Sequence, residues 1–215
     1  MGLTARAAIA MSKRPTTNDS TPTRRPGRPR GATGPGPRER LLAAANDLFA
    51  SKGIGAVGLD ELLRAAGVAR MSLYQHFDGK EALVAEYLRK KHADFLAWIE
   101  AETAHAKTPR GRILAVFDAL LSWHAQDDFH GCSFARALGE VGSASAPIRA
   151  AIDEHNRDLH AWLESLCAQA GTDQPAETAA ALAIIINGAN LCAAAGDRQH
   201  SAARAKGLAE KLLAG

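Results

Sequence analysis

The sequence predicts an all-α protein in which an N-terminal three-helix module carrying a helix-turn-helix precedes a larger helical domain. Three observations lead to this. First, 47% of the 215 residues are apolar and only 5% aromatic, with many alanines. That composition can build a core but favours helices over strands, because alanine is the best helix former while aromatic and β-branched residues fill sheets. Second, apolar residues recur at helical spacing. Third, Thr108-Pro109, Ser145-Ala146-Pro147 and the stretch 172–175 place proline just inside a helix start, where its missing N–H costs nothing.

The first helix begins at Pro37 or Arg38. Leu41, Leu42, Ala45, Leu48 and Phe49 share one of its faces. Lys52-Gly53 ends it, with Gly53 placed for a left-handed C-cap. Short helices follow over 59–65 and 69–76. Asp78-Gly79-Lys80-Glu81 then opens a longer helix, the Asp and Glu spaced as a capping box. The remaining helices are expected over 79–106, 109–126, 133–142, 147–170, 175–195 and 200–213. The stretch 178–195 is apolar nearly all round, the pattern of either a membrane-buried or a protein-buried helix. Its two asparagines and its many alanines favour the protein interior, so no membrane partner is expected.

Charge is unevenly spread. The net charge is +3, yet residues 1–40 hold nine Lys/Arg against two Asp/Glu, and the rest of the chain is mildly acidic. Residues 1–36, rich in Pro and Gly without apolar periodicity, read as a disordered basic tail. Such a tail suits a polyanionic partner, nucleic acid before membrane, or serves only solubility. Cys132, Cys167 and Cys192 are widely spaced without a CxxC pair. This argues for a reducing compartment and against a disulfide framework or zinc site. The run 3–11 is too short for a secretory signal and is broken by Arg6; Met11 is a second candidate start. A cytoplasmic protein without a cofactor or metal is expected.

The most informative stretch is 59–80, LDELLRAAGVARMSLYQHFDGK. Ala66 and Gly67 allow a tight turn, while Leu62, Leu63, Val68, Leu73 and Phe77 form a core between two short helices. A short exposed helix of this kind fits the major groove and reads base edges. The residues GVARMSLYQHFDGKEAL, with Leu73-Tyr74, His76-Phe77 and Lys80-Glu81, resemble the signature of the TetR family of transcriptional regulators, over about residues 38–88. The resemblance implies a DNA-binding domain over 37–82 and a ligand-binding and dimerisation domain over 83–215. It implies operator double-stranded DNA and a small-molecule effector as partners, in a homodimer. Carried over position by position, Arg70, Met71, Ser72 and Gln75 face base edges, Tyr74 and His76 donate to phosphates, and Lys80 adds a cation at a helix N-terminus. Taken singly, Tyr74 reads equally well as packing, Arg70 as a solvated cation and His76 as a satisfied polar group; the spacing makes them a motif. The chain departs from the family at Gly58, Leu59 and Asp60, where Thr or Ser is common. Glycine caps a helix but offers no hydroxyl, and Asp60 repels phosphate.

The tail segment 24–31, with Arg25, Arg28 and Arg30 around Gly-Arg-Pro, resembles an AT-hook. Proline keeps such a segment extended, and its arginines meet the narrow minor groove of A·T-rich DNA. Short Arg/Pro/Gly strings also arise from composition alone. Beyond residue 100 nothing reads as catalytic. The cluster 123–132 reads as a polar turn, and a redox role for Cys132 would need exposure and a lowered pKa. The family places its ligand among the middle helices. Trp98, Phe117, Leu121, Trp123, Phe134, Leu138 and Trp162 are the candidate lining, equally readable as core, and they predict an apolar ligand. The last two helices are expected to dimerise through Leu182, Ile185, Ile186 and Ala189 and through Leu208, Leu212 and Leu213. A repressor released by its ligand is the leading function. The alternatives are a constitutive architectural DNA-binding dimer, or a helical enzyme using Cys132 or His130.

Overall fold

A computed structural model describes residues 34–142 and 145–214. Nine α-helices appear among them: α1 (Pro37–Lys52), α2 (Leu59–Ala66), α3 (Arg70–Tyr74), α4 (Lys80–Thr103), α5 (Pro109–His124), α6 (Ser133–Ala137), α7 (Ala146–Gln169), α8 (Pro175–Ala194) and α9 (Ser201–Leu212). The described residues contain no strand, and the helices lie within a few residues of the expected positions. The basic tail, with Arg25, Arg28 and Arg30, lies outside the described residues.

Proline and threonine fix the start of α5. Thr108 Oγ1 accepts the Gly111 amide (3.0 Å) while Pro109 occupies the first turn. Two capping expectations fail. The N-cap of α4 is Gly79 rather than Asp78. That puts Glu81 one position too early for a capping box, and its carboxylate instead accepts the Ser145 hydroxyl (2.8 Å). Gly53 ends α1 with φ 89° and ψ 157°, outside the left-handed helical region. Its backbone is nonetheless one that side chains avoid, and a Cβ there would lie 2.9 Å from the Glu140 carboxylate. The expected helix 133–142 stops at Ala137 and continues as a π-helical turn over Leu138–Gly142. Its glycines, Gly139 and Gly142, weaken the α-helical hydrogen-bond ladder there.

Two apolar clusters form the interior. One joins Leu41, Phe49, Leu62, Leu73 and Phe77 to Leu83, Val84 and Leu88 of α4, and on to Phe134, Ala137, Ile148 and Ile152. It therefore crosses the expected boundary between residues 82 and 83. The other is built from Ile99, Ile113, Phe117 and Leu120 with Leu159, Leu163, Leu182, Ile186 and Ala202. Helix α8 is long and apolar enough to cross a membrane, but it packs against α7, α9 and α5.

Two buried histidines sit where α4 meets α7. The Nδ1 atoms of His92 and His155 are 3.2 Å apart, and His92 Nε2 lies 3.0 Å from Asp158 Oδ2. Asp158 accepts from His92 Nε2–H, which leaves His92 Nδ1 to accept the His155 Nδ1–H. Phe134 stacks on the His155 ring, with centroids 3.6 Å apart. Burial, reinforced by His92, depresses His155 from 6.5 to about 4, so the folded protein keeps it neutral. Below pH 6.5 the unfolded chain takes up this proton first, so its contribution to stability is complete above that pH and lost as pH falls toward 4. Burial depresses His124 in the same direction. Urea unfolding should show stability falling from pH 7 to pH 5, with a contribution of up to about 3 kcal/mol from His155 over its full titration. The substitution His155→Gln should reduce that slope, and an identical slope in both proteins would refute the assignment.

Candidate nucleic-acid interface

Helix α3 has five residues, and the turn that delivers it depends on Gly67. That glycine adopts the left-handed conformation (φ 60°, ψ 41°), which glycine enters at no steric cost. The Val68 amide reaches back to the Leu63 carbonyl (3.0 Å), and Arg40 of α1 donates to the Gly67 carbonyl (3.3 Å). Leu73 is fully buried and Phe77 nearly so. These two residues, four apart, anchor the motif and turn its other face outward. Met71 is 73% exposed and Tyr74 50%; Arg70, Gln75 and His76 are exposed, and Ser72 is half-buried. A methionine and a tyrosine on the surface of a five-residue helix have no protomer packing to explain them.

The electrostatics refine this picture. Asp60, expected to repel phosphate, is ion-paired with Arg70 across the turn. The pair holds the Arg70 guanidinium in place at the start of α3. Lys52 pairs with Glu61 (2.5 Å) in the same way. Lys80 departs from expectation: its ammonium is half-buried and donates to the Ile54 carbonyl (2.8 Å). Burial lowers its pKa, partly offset by Glu140. The side chain thus braces the loop between α1 and α2, leaving the α4 backbone, whose Gly79 N-cap carries no side-chain cap, to offer a positive helix end. Gly58 and Ala69, the N-caps of α2 and α3, likewise supply no side-chain cap.

The family described as "Bacterial regulatory proteins, tetR family" matches residues 41–87, the span from the first apolar face of α1 through α3 into α4. The HTH-type transcriptional regulator LmrA of Bacillus subtilis is 30% identical over 146 residues, covering 64% of this chain and 74% of that protein. The chain belongs to the tetR family. The HTH-type transcriptional repressor NemR of Escherichia coli is 32% identical over 128 residues, which are 59% of this chain and 64% of that relative's length. The crystal structure of SCO4454, a TetR-family regulator from Streptomyces coelicolor, superposes with a TM-score of 0.76 at 26% identity, covering 83% of this chain and 94% of that one. The N-terminal helix-turn-helix followed by a helical domain is therefore the architecture of this tetR-family chain.

The expected ligand lining is not one site. Phe134 belongs to the cluster beneath α3, and Leu138 is 45% exposed on the π turn. Phe117 is buried in the second cluster, against which Trp98, Leu121, Trp123 and Trp162 pack half-buried. None of the seven lines either of two concavities at the junction of α1 with the helical domain, and the aromatic rings pack on one another, as with Trp98 and Trp123 at 6.0 Å. Of the α8 stripe expected to dimerise, Leu182, Ile186 and Ala189 are buried within the protomer. Asn190 is buried too, 2.9 Å from His124 Nε2. Cys132 is half-buried and burial raises its thiol pKa, the reverse of what an activated thiolate needs.

Gly58 supplies a test of the interface. It sits at φ −80° and ψ 158°, with nothing near the place a Cβ would occupy. Gly58→Ser should therefore fit, cap α2 and stabilise the fold by a few tenths of a kcal/mol. Its hydroxyl should also strengthen binding to specific and random DNA alike. Unchanged binding to both would show that this helix end stays clear of the phosphates.

Proposed function

We propose that the protein is a homodimeric transcriptional repressor that binds operator DNA through α3 in the cytoplasm and is released when a small molecule occupies its helical domain. The observation that carries the reading is the division of α3, with Leu73 buried beneath and Arg70, Met71, Tyr74 and Gln75 outward. Membership of the tetR family and the description of its E. coli relative as a transcriptional repressor support it. In this reading Arg70, Met71, Ser72 and Gln75 read bases, Tyr74 and His76 hold phosphates, and Lys80 acts on DNA only indirectly, through the loop it braces. Fluorescence anisotropy with DNA upstream of the gene tests it. Arg70→Ala should cost about 1–3 kcal/mol on the preferred sequence and little on random DNA. Equal losses on both would reduce Arg70 to a phosphate contact.

The dimer is assigned to the outer face of the last two helices. Ile184 is 73% exposed and Leu191 71%, with Leu208 and Leu212 of α9 also exposed. Gly188 and Cys192 fall on the same face of α8. A symmetric pairing of α8 and α9 from two copies buries this apolar face in a four-helix bundle. The double substitution Ile184→Lys with Leu191→Glu touches no core residue, so helicity should persist while sedimentation shows monomers and operator affinity collapses. A dimer that survives both changes would place the interface elsewhere.

A further inference from the structure

The roomier of the two concavities is lined by none of the seven residues expected to hold a ligand. It has a volume of about 350 Å³ and is lined by Ser51 and Ala50 of α1, by Phe129 and His130 of the loop before α6, by Arg136 and Arg198, and by Ala194 at the end of α8. Two guanidinium groups and an imidazole face it, and its lining contains no carboxylate.

Both arginines are half-buried and held by backbone. Arg198 donates to the carbonyls of Phe129 (2.8 Å) and Gln126 (3.4 Å), and its guanidinium lies 5.3 Å from the centre of the Phe129 ring. It has no carboxylate within ion-pair distance among the described residues. The adjacent carboxylate, Asp197, is taken by Arg204 (2.6 Å) and His200 (3.1 Å). Arg136 donates to the Ala50 carbonyl (2.9 Å). Its nearest acid, Glu140, is 3.7 Å away and also accepts the Gly55 amide (2.9 Å). Carbonyls orient a guanidinium without cancelling its charge. A planar, oriented, uncompensated fork is the group that binds an oxyanion in two-pronged fashion.

The geometry points to this cleft as a binding site for a small organic anion, a carboxylate or phosphate ester, held by Arg198 and Arg136 with His130 as a further donor, while Ser51, whose hydroxyl donates to the Asp47 carbonyl (2.7 Å), only lines the wall. Its volume is at the lower end for small-molecule sites and exceeds what a bare ion needs. Its exposed surface is polar, since Phe129 is buried behind it beneath the Arg198 guanidinium. The walls come from α1, which packs on α2 and α3, and from the helical domain. An anion there bridges the two, and its consequence for DNA rests on the operator-binding reading above, whereas its binding does not.

Titration calorimetry on the full chain tests the site, with succinate and inorganic phosphate as probes and sodium chloride at matched ionic strength as control. Saturable binding of about one anion per protomer is expected, with a dissociation constant at or below about 1 mM. Arg198→Gln should weaken it about tenfold or more, because it removes the charge from the fork. Ser51→Asp places a carboxylate at an exposed position on the cleft wall and should weaken binding comparably without lowering the melting temperature. It carries the test if Arg198→Gln fails to fold. Tighter binding of succinate assigns the site to organic carboxylates, and tighter binding of phosphate to phosphoryl groups. The absence of saturable heat with both probes, heats reproduced by chloride, or binding indifferent to Ser51→Asp would overturn the proposal. Failure of the full chain to bind DNA, with anion binding intact, would instead count against the repressor reading alone.

Discussion

A five-residue helix has almost no stability of its own, since an isolated helix of fewer than about 12 residues is marginal in water. The position of α3 is therefore set by what Leu73 and Phe77 are buried against. Their cluster includes Leu41 and Phe49 of α1 and Leu62 of α2, and continues through Leu83, Val84 and Leu88 of α4 to Phe134 and Ile152. The outward-facing α3 and the first part of the helical domain thus share one interior. Close-packed interiors transmit displacement instead of absorbing it, so a shift of α4 or α7 reaches α3 without a separate relay.

Polar contacts reinforce that continuity at one junction. Arg136 of α6 holds the end of α1 through the Ala50 carbonyl, Glu140 of the π turn holds the Gly55 amide, and Lys80 holds the Ile54 carbonyl. Ser145 at the start of α7 binds Glu81 in the first turn of α4. The π turn lies at this junction, where single-turn π-helices often mark functional segments. The cationic cleft opens beside it and shares Arg136. A ligand that competes for the Arg136 guanidinium acts on the contact that fixes the end of α1.

Much of this was legible in the sequence, for identifiable reasons. Helix starts were marked by proline beside a polar residue, as at Thr108-Pro109. The motif around α3 was marked by a glycine that the turn requires and by Leu73 and Phe77 four apart. The outward face of α8 was not legible because that helix is apolar on nearly every side, so the sequence does not distinguish Ile184 and Leu191 from Leu182 and Ile186. The inward turn of Lys80 was hidden as well, since an ammonium finds a carbonyl 26 residues away only after folding. His155 had a signal that passed unused: Ile148, Ile152, His155 and Leu159 form one buried stripe of α7, which marks a histidine in the core. The pairing of Asp60 with Arg70 reverses the meaning of a residue that looked unfavourable. The cleft needed the fold, because Ser51, Arg136 and Arg198 are brought together from distant parts of the chain.

A shared core presents α3 outward, and in the proposed dimer the outer faces of α8 and α9 pair two copies, so that two recognition helices meet successive major grooves. Hydroxyl-radical footprinting of the full chain on DNA upstream of its gene tests this most directly. Two protected segments on one face of the duplex, with centres about 34–36 Å apart or a multiple of one helical turn, are the predicted result. A single protected segment, or continuous protection without helical phasing, would contradict it.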